Sequence, residues 1–247
     1  MNNYVVHRLM DSAPRGTPLD TDFLRTLGVD PSATTRMIKA GWLHRLSKGA
    51  YLLRGDSPSR DGLIAYLSRQ IVGLHVGGKT ALDWQGIRHN IAFRPRIVLW
   101  GATPYRFPTW VAQYMSYTYQ TTRLFGDWNA PSAYLKPLPF GDSRVLVSIP
   151  ELAFLELVSA IGRDGIKGQS MEEALNIADG LRNLRSELLA EMLERCTSVK
   201  VVKLARDLGV SSGHAWGRDL QTFVDRKGAN RRWTRRLKDG TRLTLKP

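Results

Sequence analysis

Ser32, Thr35, Arg36 and Lys39 are spaced to share one face of a helix, where they present two short hydroxyls and two long cations. Hydroxyls of that reach bond phosphates and base edges, and the cations add charge against a sugar–phosphate backbone. The chemistry they suit is recognition of a nucleic acid. Thr34 stands near the edge of the same face as a further candidate contact. Ala33, Met37 and Ala40 fall opposite, on a narrow apolar face. Asp30 before Pro31 supplies a cap and a pre-set first turn, and Gly41 suits a left-handed helix end.

The flanking residues supply the elements that would hold this helix in place. Residues 42–46 and 50–53 predict a hairpin around Ser47-Lys48-Gly49, a three-residue loop with Gly49 at positive φ. Arg45 and Lys48 would then lie on a wing beside a duplex backbone. Upstream, Thr17-Pro18-Leu19-Asp20 reads as a helix start with Thr17 as cap and Pro18 in the first turn. Leu19, Phe23, Leu24 and Leu27 form its apolar stripe, and Gly28 closes it. Only Gly28-Val29-Asp30 separates this helix from the next, the tight turn that a helix-turn-helix needs. Val5, Val6, Leu9 and Met10 predict a third amphipathic helix ahead of both. The order predicts a winged helix over residues 1–55, with Gly55-Asp56-Ser57-Pro58-Ser59 as the break before a larger domain over residues 56–247.

Charge placement agrees. The chain has 247 residues, 43% of them hydrophobic, enough for one large core or two smaller ones, and a net charge of +14. Residues 1–55 hold 8 basic and 4 acidic side chains (net +4), residues 56–195 hold 15 and 14 (net +1), and residues 196–247 hold 13 and 4 (net +9). Basic ends attract a polyanion and bind phosphates through counterion release. The apolar runs are broken by Glu and Pro, well short of a membrane span, and the N-terminus lacks a basic segment followed by a long apolar run. Cys196 is alone, which excludes an internal disulfide and a cysteine zinc cluster. A cytoplasmic protein without a membrane partner is expected.

One motif points elsewhere. Residues 73–80, GLHVGGKT, match the Walker A pattern, in which Lys79 would meet the β and γ phosphates and Thr80 a magnesium ion. That alternative makes the chain a nucleotide-hydrolysing or nucleic-acid-processing enzyme built on Gly73 to Thr80. Its surroundings disagree: residues 60–72 are helix-periodic where a buried strand is needed, and only one or two helical turns separate Thr80 from Gly86. The five histidines, at 7, 44, 75, 89 and 214, show no metal-ligand spacing, and there is no Gly-x-Ser-x-Gly elbow. Of the carboxylates a nuclease could use, Asp127, Asp142, Glu151 and Glu156, none lies two residues before a lysine. Glu151 and Glu156 read as solvated ends of an apolar helix opened by Pro150. No catalytic residue, cofactor or metal is expected.

The larger domain reads as mixed α/β. Residues 96–100, 114–119 and 144–148 are predicted strands. Residues 151–161, 171–184, 187–195 and 199–208 are predicted helices, the last capped by Ser198 and ended by Gly209. Asp239-Gly240 between alternating runs predicts a terminal hairpin. Arg231, Trp233 and Arg235 would share one face of its first strand, and Arg232, Thr234 and Arg236 the other. Arginines interleaved with a tryptophan make Arg231, Arg232, Trp233, Arg235 and Arg236 a second candidate contact.

Four stretches together, GWLHRLSKGAYL (41–52), HVGGKTALDWQGIRH (75–89), SIPELAFLEL (148–157) and CTSVKVVKLARDLG with GHAW (196–209, 213–216), resemble the AbiEi family, antitoxins of bacterial type IV toxin–antitoxin (abortive infection) systems. The resemblance spans nearly the whole chain. It implies an α+β protein, with an N-terminal winged helix-turn-helix that represses its own operon and a larger mixed α/β antitoxin domain. It also implies a separately encoded nucleotidyltransferase toxin as functional partner. The DNA-binding set expected is Ser32, Thr34, Thr35, Arg36, Lys39, Arg45 and Lys48. A monomer in solution would bind as a dimer on inverted repeats, because one such module buries little surface. Phage defence is the biological role such systems serve, and the arginine-rich hairpin would contact nucleic acid or the toxin.

Overall fold

The computed structural model describes residues 3–87, 95–126, 133–163, 165, 168–228, 233–236 and 242–245, the last two segments by their backbone. In chain order the elements begin with α1 (Asn3–Ser12), β1 (Leu19–Asp20), α2 (Thr21–Thr26), α3 (Pro31–Lys39), β2 (Leu43–Ser47), β3 (Ala50–Leu53) and α4 (Arg60–Ser68). There follow β4 (His75–Val76), α5 (Gly78–Trp84), β5 (Ile97–Trp100), α6 (Val111–Tyr114), β6 (Tyr117–Gln120), β7 (Leu135–Pro137) and β8 (Leu146–Ser148). The remainder is α7 (Pro150–Ala160), α8 (Met171–Asp179), α9 (Ser186–Arg195), α10 (Val199–Ser211), α11 (Ala215–Asp219), α12 (Gln221–Gly228), β9 (Trp233–Arg236) and β10 (Arg242–Leu245). The protein is mixed α+β. Its chain divides into two compact units, one of Met1–Val72, Tyr105–Ser116 and Pro137–Val145, the other of Gly73–Pro104, Tyr117–Lys136 and Leu146–Pro247. The first unit is therefore larger than the 1–55 stretch and takes in two later segments.

In the first unit, three helices close over a three-stranded sheet of order β1-β3-β2. Asp20 accepts from the Phe23 amide at 2.7 Å and Asp30 from the Ala33 amide at 2.6 Å, so each helix of the α2–α3 pair starts on an aspartate cap. Gly28 (φ +81°) and Gly41 (φ +76°) supply the left-handed turns that end them. Leu9, Leu19, Leu24, Val29, Met37, Leu43 and Leu53 fill the core between helices and sheet.

Two local expectations are corrected here. Thr17 does not cap a helix: Leu19–Asp20 pairs instead with Tyr51 and Ala50 as a third strand, and the helix begins at Thr21. Thr17 is buried, and its hydroxyl accepts from Arg144 at 3.0 Å. The wing turn holds two residues, because Ser47 pairs with Ala50 and the extra residue is a bulge between Arg45 and Ser47. Gly49 has the expected positive φ, at +80°.

The later segments brace this unit. Trp110 Nε1 donates to Ser47 Oγ at the wing (3.0 Å), and its ring lies 5.7 Å from that of Tyr66 on α4. Ser59 caps α4, and its amide bonds the Gly16 carbonyl at 2.8 Å.

The second unit carries a five-stranded mixed sheet of order β6-β5-β4-β8-β7. Against it packs α7, buried at every residue from Glu151 to Ala160. Ser198 caps α10 as expected, yet Gly209 does not end that helix, which runs on to Ser211. A side chain at Gly209 would meet the Trp216 ring at 2.4 Å, and one at Gly217 would meet the Gly209 backbone at 2.3 Å. The two glycines serve a close crossing of α10 and α11. Lysines finish two other helices: Lys200 Nζ donates to the Ser159 and Ile161 carbonyls at the end of α7 (2.6 and 3.0 Å), and Lys227 Nζ to those of Leu193, Glu194 and Cys196 at the end of α9. The terminal hairpin forms, with Trp233 opposite Leu245 and Arg236 opposite Arg242. No helix among the described residues is long and apolar enough to cross a membrane.

Because backbone meets backbone at the α10–α11 crossing, Gly217→Ala is expected to lower stability by about 1–3 kcal/mol through overpacking. A fall in the denaturant midpoint at unchanged m would register it. Wild-type stability would contradict the crossing.

Candidate nucleic-acid interface

The capped start of α3 sets which side chains reach water. Ser32, Thr35, Arg36 and Lys39 are exposed, while Ala33, Thr34 and Met37 are buried. The exposed residues are tied together. Asp30 Oδ1 accepts from Ser32 Oγ at 2.8 Å as well as from the Ala33 amide, and Ser32 Oγ accepts from Arg36 Nη1 at 3.0 Å. Thr35 Oγ1 donates to the Pro31 carbonyl at 3.0 Å. A chain from Asp30 through Ser32 thus aims Arg36 along the helix. The amide of Ala33 first, then the Ser32 hydroxyl, hold the Asp30 carboxyl below the usual aspartate range.

Thr34 is removed from the candidate contacts. It is 5% exposed, and its hydroxyl donates to the Asp30 carbonyl at 2.9 Å. Bonding to the carbonyl four residues back lets a threonine sit on the buried side, so the inward stripe is wider than its apolar residues suggest. Ala40, read as inward, is exposed.

On the wing, Arg45 and Lys48 are both exposed, and Arg45 Nε donates to the Ser47 carbonyl at 3.3 Å across the bulge. Three exposed neighbours were not singled out from the sequence: Trp42 (39% exposed), His44 and Arg54. Arg54 is joined to Trp42 by a backbone hydrogen bond of 3.0 Å, and its guanidinium lies beside Gly41 at the end of α3. The signal was the alternation of β2 continued onto its partner strand, legible only once the register is known.

The terminal arginine cluster is less completely described. Arg231 and Arg232 lie outside the described residues, whereas Trp233, Arg235 and Arg236 belong to the backbone of β9. Asp127, among the carboxylates considered for a nuclease, also lies outside them. Among the described residues no three His, Cys, Asp or Glu side chains gather where they could hold a metal ion.

The glycine-rich loop of the second unit has its own occupant. Gly78 N donates to Glu156 Oε2 at 2.8 Å, so a carboxylate of the protein takes the position a phosphate would need. Ser148 Oγ donates to the same oxygen at 2.9 Å, and His75 Nε2 lies 2.7 Å from Glu156 Oε1. His75 Nδ1 is 2.7 Å from the Gly73 carbonyl, so the ring is held between two oxygens. Gly77 N bonds the Val98 carbonyl, Thr80 Oγ1 accepts from the Val98 amide at 3.0 Å, and Lys79 pairs with Glu173 at 3.2 Å. A side chain at Gly77 would come within 2.2 Å of Glu156 Oε2, so this glycine makes room for the glutamate. The reading of Glu151 and Glu156 as solvated is corrected accordingly. They are 1% and 2% exposed, and Arg185 holds Glu151 through two side-chain bonds of 2.8 Å.

Comparison with known proteins adds the following. A family model described as "Transcriptional regulator, AbiEi antitoxin N-terminal domain" matches residues 2–93. A second, described as "Transcriptional regulator, AbiEi antitoxin, Type IV TA system", matches residues 94–246. No curated protein matches. Among solved structures, the crystal structure of the RV2827C protein from Mycobacterium tuberculosis aligns with a TM-score of 0.59 at 20% identity, over 90% of this chain and 80% of that one. At that identity the likeness is one of fold.

Two outcomes follow from these geometries. Glu156→Ala strands buried donors and is expected to destabilise the protein by about 3–5 kcal/mol, whereas Lys79→Ala, which removes a half-exposed pair, costs less than about 1 kcal/mol. Thermal denaturation of both variants checks this, and a reversed ranking would restore Lys79 as the centre of the loop. The depressed Asp30 carboxyl stabilises α3 at neutral pH; that contribution begins to fall away below about pH 3.9 and is gone below the lowered native value. An NMR titration of the Asp30 carboxyl, with loss of Ala33 amide protection over the same range, measures it.

Proposed function

The chain belongs to the AbiEi antitoxin family of type IV toxin–antitoxin transcriptional regulators, and from that premise we propose that its first unit is a winged helix reading double-stranded DNA. In this reading α3 enters the major groove, with Arg36, Lys39, Ser32 and Thr35 toward base edges and phosphates. Arg45 and Lys48 of the wing meet the adjacent backbone. Two copies occupy an inverted repeat upstream of the chain's own gene and repress the operon. The second unit counteracts a separately encoded nucleotidyltransferase toxin. The arginine-bearing hairpin of β9 and β10 supplies a secondary contact to nucleic acid or toxin, through Arg231, Arg232, Trp233, Arg235 and Arg236.

One observation carries the reading of the first unit: α3 buries Ala33, Thr34 and Met37 and leaves the hydroxyl and cationic side chains outward, with Arg36 held in line by Ser32. A helix serving only the core would have no use for an oriented guanidinium on its wet side. The Gly73–Thr80 loop, its amides engaged by Glu156 and Val98, favours no second reading.

Footprinting on DNA upstream of the gene, at two salt concentrations, is expected to show a protected inverted repeat. Arg36→Ala is expected to cost about 1–3 kcal/mol on the specific site and relax specificity there, while Lys48→Ala weakens all sequences alike and lowers the salt slope by about one unit. Equal losses on specific and random DNA for both variants would overturn this division of roles.

A further inference from the structure

The second unit contains a cavity of about 250 Å³ with no part in the reading above. Val98, Leu157 and Ala160 give it apolar walls, and Trp100, Arg96 and Gln120 stand among its polar lining residues. Trp100 is 1% exposed, and its indole Nε1–H has no hydrogen-bond partner among the described residues. A buried donor of this kind is costly when left unmet, so native structures seldom retain one without a use. Arg96 is an exposed residue whose guanidinium adds a cation to the lining. Gln120 receives Arg163 on its carbonyl oxygen at 2.9 Å, which leaves its NH₂ as a third donor.

The carboxylate in the lining is already engaged. Glu156 takes its three bonds from His75, Gly78 and Ser148. The Trp100, Arg96 and Gln120 donors, one of them cationic, line the cavity together with its apolar walls. What completes such a site is a compact apolar body ending in an anion. An apolar cavity of about 150 Å³ holds benzene, so this one holds roughly ten non-hydrogen atoms. A phosphate is disfavoured, because it needs convergent backbone amides and the Gly78 amide is bonded to Glu156.

We propose that this cavity binds a small organic monocarboxylate, its carboxylate meeting Trp100 Nε1, Arg96 and Gln120 and its apolar body lying against Val98, Leu157 and Ala160. The site is independent of the DNA reading of the first unit and stands or falls separately.

The test uses the full-length chain with 15N-labelled tryptophan and benzoate, isovalerate and phenylacetate as probes. The Trp100 indole resonance, assigned with Trp100→Phe, is expected to shift saturably with at least one acid and to stay in place with benzamide or inorganic phosphate. Arg96→Gln, on an exposed side chain, is expected to weaken the acid roughly tenfold by calorimetry while leaving the other indole resonances unmoved. If Trp100→Phe does not fold, the calorimetric comparison of wild type and Arg96→Gln decides the matter alone. An acid that does not bind, equal binding of benzamide, or unchanged affinity in Arg96→Gln would each overturn the proposal.

Discussion

A carboxylate at the centre of a helix buried on every side has to be answered by the elements around it. An ion left uncompensated in such a place costs several kcal/mol, more than a domain of ordinary stability can spare. Glu156 is answered by His75 from β4, Gly78 from the start of α5 and Ser148 from the end of β8. Those three segments surround α7, and the glutamate fixes their distances from it. The paired glycines follow from the same requirement: Gly77 must lack a side chain for the carboxylate to approach, and Gly78 adopts φ +54° as its amide turns inward. A sequence that spells a phosphate loop is, in three dimensions, a socket for an internal anion.

In the first unit the organising device is smaller. An aspartate cap starts each of α2 and α3, and only four residues, Leu27 to Asp30, join the two helices and set their relation. The second cap also reaches out through Ser32 to Arg36, so the residue that starts the helix also aligns its outward cation. Restricting a long side chain before it meets a partner lowers the ordering entropy of binding. A family of transcriptional regulators has reason to keep such a face prepared.

Much of this was legible in the residues because its causes are local. Caps, glycine stops and the Leu19–Leu27 stripe are decided within one or two helical turns, and they appear where expected or a few residues away. Failures arose where a distant partner decides. Leu19–Asp20 becomes a strand because Tyr51 and Ala50 lie alongside, which outweighs the helix-start pattern of Thr17 and Pro18. Gly209 stays helical because Trp216 needs the space. Glu156 looked like a wet helix end because its partners lie 8, 78 and 81 positions away. The outward face of α3 was readable from helical spacing, apart from Thr34, whose bond to its own helix hid its inward placement. The exposure of Arg54 beside α3 required the strand register.

The first unit is assembled from three separate stretches, the last ending at Val145. Ser47 finds its tryptophan at position 110 and Thr17 its arginine at position 144, so these braces are absent while only the opening hundred residues exist. On a translating ribosome the amino-terminal part emerges long before its final struts have been made. The first unit is therefore completed only after synthesis of the second has begun, and a nascent or prematurely terminated product reaches the cell without a braced β2–β3 hairpin.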